Sequence, residues 1–500
     1  MSPACHLYPD GLVDIRWLKK HQELIPSVFV YLYSLTTDPT LSTLHDNKIK
    51  TDIGGIRNAL LQSGYKSRLA VIILVDQTSP SAEGVQERLD NIRKGAGLDP
   101  KSFFSIPTHS SQEDLERISD NALVTIYGQA LEYYRDLGRH ARKKRGRGVV
   151  PQPTVPPTSG TSQTLSLFGW NVRYDFKSAI FAEYRQEMDV ALRSYEQAYE
   201  TLLSAEILEV IPSWSLRWNE ARLLSDIITI RCIRCLLWND QYTAAVRRWQ
   251  SHRERIADFL DRRGRGTNNY GWKAWEARWA IVMADLVEKM GINNFEASNT
   301  LLFMPPEKLV MGERLQPWEL LHHTGYWYRS AARHTFARRH FARAIPEDDR
   351  RPPSMSPASQ VASKAFTYDT YMCPEPYEEL PLVGQSGVNH SQMILKYLTA
   401  AESRFTERGQ RRLAAELSME CAREYASVKD WQGVLQLLRP LWEDGSLRAE
   451  GWLDIIEDLA WTLRAAAAFT AQADIVVPID WVLLNKRRSY LYLIFVSSRP

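Results

Sequence analysis

The stretch Phe168–Leu203, which reads FGWNVRYDFKSAIFAEYRQEMDVALRSYEQAYETLL, decides most of the fold prediction. Its apolar residues recur every three or four positions, at Phe181, Tyr184, Met188, Ala191, Tyr195, Ala198 and Leu202. This spacing places them on one stripe of an amphipathic helix, which other helices must cover. The opposite side is charged and is predicted to face solvent or a polar partner. Candidate partner-binding residues on that side are Glu183, Arg185 and Glu187.

The spacing that begins at Met188 is found twice more, in segments that begin at Tyr242 and Trp431. In each segment a small residue or a valine follows after three positions, and a large residue follows four positions later. This pattern resembles the second helix of a tetratricopeptide unit, where a small residue lets the paired helix approach closely. The three segments lie at unequal intervals. We therefore predict an irregular all-α solenoid of tetratricopeptide-like helix pairs.

The first 138 residues have a different pattern. Two continuous apolar runs, Ser27–Tyr33 and Leu69–Val75, and a shorter candidate strand at Ser102–Ile106 alternate with helical stretches. Strands without polar alternation, separated by helices, indicate a parallel sheet covered on both faces. Residues 1–138 are predicted to form an α/β domain with a Rossmann-like sheet. Its predicted helices are Lys48–Gln62, Ser81–Lys94 and Gln112–Leu137.

Composition predicts where these domains meet. Residues 139–163 combine a basic run with prolines and a Thr/Ser/Gly cluster, which is typical of an extended linker. The solenoid is predicted in two parts, 164–345 and 391–486. Between them lies a Pro-rich insertion, 346–390, that is predicted to be partly disordered. An atypical tail follows at 487–500.

Charge limits the class of protein. The net charge of +3 includes six cationic residues within Arg139–Arg147, so the rest of the chain is slightly acidic. A basic fold that binds nucleic acid is therefore not predicted. The basic run itself is compatible with a nuclear signal, with a patch for anionic lipid, or with a solvated linker, and the last is the most common case.

The expected compartment is the cytosol. Five scattered cysteines do not make a disulfide framework, and no apolar signal-peptide core follows Met1. No uncharged window of 18 or more apolar residues is present, so any membrane association is expected to be peripheral.

No residues have the spacing of a catalytic, cofactor or metal site. No glycine-rich phosphate loop follows a predicted strand. Asp76 ends the second apolar run without an acidic partner and is predicted to turn the chain. Cys232 and Cys235 form a close pair but lack two further zinc ligands nearby. Cys232 and Cys421 hold equivalent positions, ten residues before Tyr242 and Trp431, so we predict that these two are small packing residues.

The segment 322–343 is rich in histidine and arginine but contains no H-E-x-x-H arrangement. A charged helix face is the favoured interpretation, and such a face can dock an acidic partner. Arg329 and Arg333 are its candidate partner-binding residues.

Three segments, in the same order along the chain, resemble the foie gras domain found in subunit 11 of the trafficking protein particle complex. They are WNVRYDFKSAIFAEYRQEMDVALRSYEQAY from Trp170, GYWYRSAA from Gly325, and CAREYASVKDWQGVLQLLRPLWEDGSLRAEGWLDIIEDL from Cys421. Besides the stripe residues Phe181, Tyr184, Met188 and Tyr195, these motifs contain five aromatic residues that we take as structural. These are Tyr326, Tyr328, Tyr425, Trp431 and Trp452.

The resemblance implies a non-catalytic scaffold or adaptor subunit of a vesicle-tethering complex in transport from the endoplasmic reticulum to the Golgi. Expected partners are the other subunits of that complex and, indirectly, a Rab-type GTPase that the assembly activates. The expected location is the cytoplasm, peripheral to Golgi and intermediate-compartment membranes. No cofactor is implied.

The end of the chain departs from the family, whose full-length members continue into β-rich domains. A truncated gene model and a real isoform both remain open. The alternative function is an enzyme with a ligand site at the strand ends of the α/β domain and the helices as a targeting arm.

Overall fold

The fold is described from a computed structural model, which covers residues 11–36, 38, 40–76, 82–108, 111–150, 165–211, 216–264, 266–292, 303–304, 315–344 and 388–484. The chain divides into two compact units, Met1–Cys235 and Leu236–Pro500. The predicted insertion 346–390 and tail 487–500 lie almost wholly outside the described residues. The predicted domain limits, apart from the start of the linker, stay a prediction.

The first unit contains a three-stranded parallel sheet in the order β1-β2-β3. Strand β1 is Val28–Ser34, β2 is Arg68–Val75 and β3 is Phe103–Pro107. Helix α2, Ser42–Gln62, connects β1 to β2, and α3, Ala82–Gly95, connects β2 to β3. Parallel pairing requires such crossover connections. The predicted parallel α/β sheet is confirmed.

Helices α2 and α3 cover one face of this sheet. Ile49 and Ile53 of α2 and Ile92 of α3 pack with Val71 and Ile73 of β2 in one buried cluster. A long helix, α4 (Gln112–Gly146), contacts all three strands. Five-residue α1, Ile15–Lys19, and a π-helical turn, Lys20–Leu24, precede the sheet.

Strand β1 is less covered than the sequence predicts. Phe29, Val30, Tyr31 and Leu32 are 37%, 41%, 37% and 62% exposed, on both faces of the strand. The expectation of a sheet covered on both faces is therefore wrong for β1. The reason is its place at the edge of the sheet, where the helices that bury β2 cover it only in part.

Helix α4 extends from Gln112 to Gly146, so the predicted linker is wrong over its first residues. Arg and Lys favour helix, and cations in the last turn complement the helix dipole. This part of α4 also packs against the next helix, α5 (Leu167–Tyr184). Gly138 is buried there, and a Cβ in its place would lie 3.3 Å from a guanidinium nitrogen of Arg185. The Arg145 guanidinium lies 2.5 Å from the Asp175 carboxylate.

The stretch Phe168–Leu203 forms two helices, not the single helix its stripe suggests. Helix α5 is Leu167–Tyr184 and α6 is Met188–Leu202. The chain reverses at Gln186, whose φ is +61°. The stripe is still buried, because the two helices pack against each other and bury it between them and their neighbours.

Beyond this hairpin the described residues are mainly helical. Helix α7 crosses the division between the two units, and α8 to α16 belong to the second unit. Their bounds are α7 Leu216–Trp238, α8 Tyr242–Arg262, α9 Tyr270–Lys289, α10 Thr324–Arg343, α11 His390–Glu407, α12 Arg411–Ser427, α13 Trp431–Asp444, α14 Ser446–Ala449, α15 Leu453–Phe469 and α16 473–484. The predicted succession of helix pairs is confirmed.

The helices of the second unit bury a continuous series of apolar side chains. Ala332 of α10 packs with Leu398 of α11 and Leu417 of α12. Farther along, Leu438 of α13 packs with Leu463 of α15 and Ile479 of α16. Each helix is covered mainly by its neighbours, which is the packing of a solenoid.

Six turns between these helices share one geometry within the described residues. Each has three residues, and the middle one has φ between +56° and +76°. The amide N–H of the third residue donates to the carbonyl five residues earlier, at 2.9–3.1 Å. This is the Schellman pattern that ends a helix. The middle residues are Gln186, Asp240, Gly409, Lys429, Gly451 and Ala471.

We expect Ala471→Gly to stabilise the second unit by up to about 1 kcal/mol, because glycine adopts positive φ without the steric cost of a Cβ. The matched change is Gly409→Ala, at the same position of another turn, and it should destabilise by about 1 kcal/mol. Urea unfolding of both variants measures the two effects. Shifts of the same sign would contradict a common turn geometry.

Candidate functional site

Glu183, a predicted partner-binding residue, lies at the centre of a polar network in the first unit. Its carboxylate accepts hydrogen bonds from Tyr195 Oη at 2.5 Å and from Arg231 Nη1 at 2.7 Å. Arg234 lies 3.2 Å away. The Glu183 side chain is only 9% exposed. Burial raises the pKa of Tyr195 well above its usual value, so its hydroxyl stays a donor.

Arg185 is also internal. Its guanidinium pairs with Glu187 at 2.6 Å and donates to the carbonyls of Tyr134 and Phe181 at 3.2 and 3.1 Å. These bonds tie the end of α5 to α4. The prediction that Glu183 and Arg185 lie at the surface is wrong, because both side chains are largely buried. The polar partner that each side chain requires belongs to the same chain. Glu187 remains half-exposed.

In the second unit, Arg329 pairs with Glu420 at 2.6 Å and with Glu416 at 3.6 Å, whereas Arg333 is exposed. The rest of the predicted charged face is largely internal. Arg338 is fully buried against Tyr270, and Arg339 pairs with Glu424, both of them buried. Most of the arginines therefore join α10 to its neighbours. Of the two predicted partner-binding residues, Arg329 and Arg333, only Arg333 is exposed and can contact a partner.

Glu276 of α9 is a buried carboxylate with three basic partners. It is 1% exposed and accepts from Arg253 at 2.5 Å, Lys273 at 2.7 Å and His334 at 3.2 Å. Burial alone would raise the pKa of Glu276, but the hydrogen bonds and positive charges of these three partners outweigh it and hold the pKa at about 2. This group links α8, α9 and α10.

The structural aromatic residues are placed mainly as predicted. Phe181 and Tyr195 are buried, and Tyr425, Trp431 and Trp452 pack partly buried on the core of the second unit. Tyr184, Met188 and Tyr328 are partly buried as well. Tyr326 is different: it is 39% exposed and stacks on His322 at 3.8 Å.

The thiols of α7 and the carboxylate that follows β2 belong to no zinc site within the described part of the chain. Cys232 and Cys235 are buried in α7, and burial raises the pKa of Cys235 to about 12, so this thiol stays protonated. Asp76 follows β2 and is partly buried. Among the described residues, no group of three or more His, Cys, Asp or Glu side chains could hold a metal ion. None of the described helices combines the length and apolarity needed to cross a bilayer.

An exposed apolar stripe on α16 was not predicted. Val477, Trp481 and Leu484 are 67%, 69% and 60% exposed and follow helical spacing. The opposite side of the helix buries Ile475 and Ile479. A helix that is apolar on a second, uncovered face is typical of a protein contact site. The sequence signal for this second stripe was the alternation of two sets of apolar residues within 475–484.

The sequence profile described as Foie gras liver health family 1 matches residues 217–486, which is more than half of the chain. The chain belongs to this family. A second profile, Trafficking protein particle complex subunit 11 N-terminal domain, matches residues 1–115 of this foie gras family member. The resemblance found in the sequence is confirmed. Two of its three motif segments lie within the foie gras match, and the segment from Trp170 precedes it.

Two relatives of this foie gras family member have the same low sequence identity to it. Trafficking protein particle complex subunit 11 of Bos taurus is 21% identical over 503 residues, and the human protein of the same name is 21% identical over 496 residues. Each comparison covers 96% of this chain and 39% of the relative. The chain therefore spans about two fifths of the length of these relatives.

Proposed function

We propose that this chain is a non-catalytic scaffold subunit of a trafficking protein particle complex, acting in transport from the endoplasmic reticulum to the Golgi. It contributes binding surface to the assembly that activates a Rab-type GTPase. The chain itself is cytoplasmic and peripheral to the membrane. The family of the chain and the names of its relatives support this assignment.

The observation that carries the proposal is the exposed stripe of α16. A contiguous apolar stripe on an exposed helix face is typical of a contact site, and Trp481 lies in the middle of such a stripe on α16. Exposed aromatic residues of this kind are typical anchors of protein interfaces. The partner that fits is an amphipathic helix of another subunit, with apolar side chains spaced to contact Val477, Trp481 and Leu484.

The non-catalytic part of the proposal is supported by the Cys421 thiol and the His323 imidazole, which are both held in their neutral forms. Burial raises the pKa of the Cys421 thiol to about 12 and lowers the pKa of His323 to about 3. Neither group changes its charge near neutral pH, as a general acid or base would. The polar networks of Glu183 and Glu276 are satisfied by side chains of the chain itself.

We expect Trp481→Glu to lower the recovery of complex subunits with the tagged chain by about tenfold, because a carboxylate would be buried in an apolar contact. The assay is affinity capture from cells followed by quantitative mass spectrometry. Trp318→Glu is the matched control, since Trp318 is 57% exposed elsewhere in the second unit. Both variants should keep the parental melting temperature.

Loss of subunits with both variants, or with neither, would refute the role of the stripe. Failure of the unmodified chain to capture any subunit of the complex would refute the scaffold assignment itself. Retention of the subunits together with loss of GTPase activation would separate assembly from its proposed consequence.

A further inference from the structure

The first unit contains a cavity of about 600 Å³ that the proposed scaffold function does not use. It lies between the segment 12–25, which includes α1, and the helix α5, with Tyr65 at its side. Cavities of about 300–1,000 Å³ are the usual size of small-molecule sites. Trp17, Leu24, Ile25 and Tyr65 give it apolar walls.

Cations converge on this cavity. Arg173 and Lys177 of α5 and Lys20 of the π-helical turn all line it. The Lys177 ammonium lies 4.8 Å over the ring of Trp17, and the Lys20 ammonium lies 4.1 Å over the ring of Tyr65. The aromatic rings thus hold both ammonium groups at the cavity wall.

The carboxylates nearby are already engaged. Glu220 accepts from the backbone N–H groups of Leu12 and Val13, at 2.7 Å each. Asp14 accepts from the N–H of Arg16 and caps α1. Arg173 donates to the Leu12 carbonyl at 2.6 Å, which fixes the guanidinium at the cavity.

Lys177 is the most unusual group of the cavity. Burial lowers its pKa to about 7, and the charged groups that act on it, Arg173, Lys144 and Lys20, are all cations that lower it further. Burial and the charges of Lys177 and Lys20 also lower the pKa of His21 to about 4. Among the described residues that line the cavity, the one carboxylate, Asp14, caps α1, so the positive potential at Lys177 favours an anionic ligand.

We propose that this cavity binds an anionic amphiphile, an apolar chain that carries one terminal phosphate or carboxylate. The anionic group lies against Lys177 and Lys20, where it supplies the missing counter-charge. The chain lies along Trp17, Leu24 and Tyr65. An anion without an apolar part would leave these walls unused, and a neutral amphiphile would leave the cations unpaired.

Isothermal titration of the full chain with decyl phosphate tests this inference, with decanol and decyltrimethylammonium as ligands of equal chain length. We expect one site for decyl phosphate, and binding at least about tenfold weaker for the two other ligands. Lys177→Met should weaken decyl phosphate binding by about tenfold or more while keeping the volume of the side chain. Lys101→Met, at an exposed position outside the cavity, is the matched control.

Lys20→Met provides a second variant at the cavity, should Lys177→Met fail to fold. Equal binding of decanol and decyl phosphate, or unchanged binding in both lysine variants, would overturn the proposal. Sedimentation with phosphatidate-containing vesicles distinguishes a free amphiphile from a lipid in a bilayer. Binding to vesicles without any binding of monomeric decyl phosphate would also overturn it, because a charged surface and not the cavity would then be responsible.

Discussion

Replacing Glu276 by Gln is expected to destabilise the second unit by about 3–5 kcal/mol. The change leaves the Arg253 and Lys273 cations around a buried position without their shared counter-charge. It also replaces one of the two acceptor oxygens by an NH2 donor, so that Arg253, Lys273 and His334 are left with a single oxygen. Thermal and urea unfolding of the full chain measure the loss, with Glu288→Gln as the matched control. Glu288 pairs with Arg404 at 2.6 Å but is 45% exposed, so its loss should cost less than about 1 kcal/mol.

The same carboxylate sets a pH dependence. Its pKa is about 2 in the folded chain, against an ordinary value of 4.5. Its contribution to stability is therefore fully present above pH 4.5 and is lost as the pH falls through the folded pKa. A difference of this size corresponds to about 3 kcal/mol. Glu276→Gln should remove that part of the acid destabilisation. An acid limb that is unchanged in the variant would show that other groups cause it.

The second large effect is expected at Tyr195. Replacing it by Ala should destabilise the first unit by about 3–5 kcal/mol, because a fully buried aromatic ring is removed from the contact between α5 and α6. Replacing it by Phe keeps the ring but removes the hydroxyl that donates to Glu183. That change should cost about 1–3 kcal/mol.

Tyr127→Ala is the control for Tyr195, because Tyr127 lies in the same unit and is 48% exposed. Its substitution should cost less than about 1 kcal/mol. Unfolding followed by tryptophan fluorescence reports all three variants. If Tyr195→Ala has the same melting temperature as the unmodified chain, the α5–α6 hairpin does not depend on this ring. If Tyr195→Phe costs as much as Tyr195→Ala, the hydrogen bond to Glu183 outweighs the packing.

The local pattern of the sequence was sufficient to predict the helices and strands and the fold class. Continuous apolar runs predicted a parallel sheet, and the stripe through Tyr195 and Ala198 predicted helix packing, because side-chain burial follows the period of each element. The motif around Gly325 and Trp431 was sufficient for the family. These inferences depend only on residues that are near one another in the chain.

Tertiary structure decided how the charged residues are used. Glu183 meets Arg231, and Arg339 meets Glu424, across separations in sequence that no local pattern encodes. The stripe of Phe168–Leu203 did not show the reversal at Gln186, because Schellman turns with a non-glycine residue at positive φ have little sequence signature. The edge position of β1, the open face of α16 and the cation-lined cavity likewise depend on which elements cover one another. A charged side chain satisfies its need for a partner equally well with water or with a distant segment, and only the packed chain determines which of the two it meets.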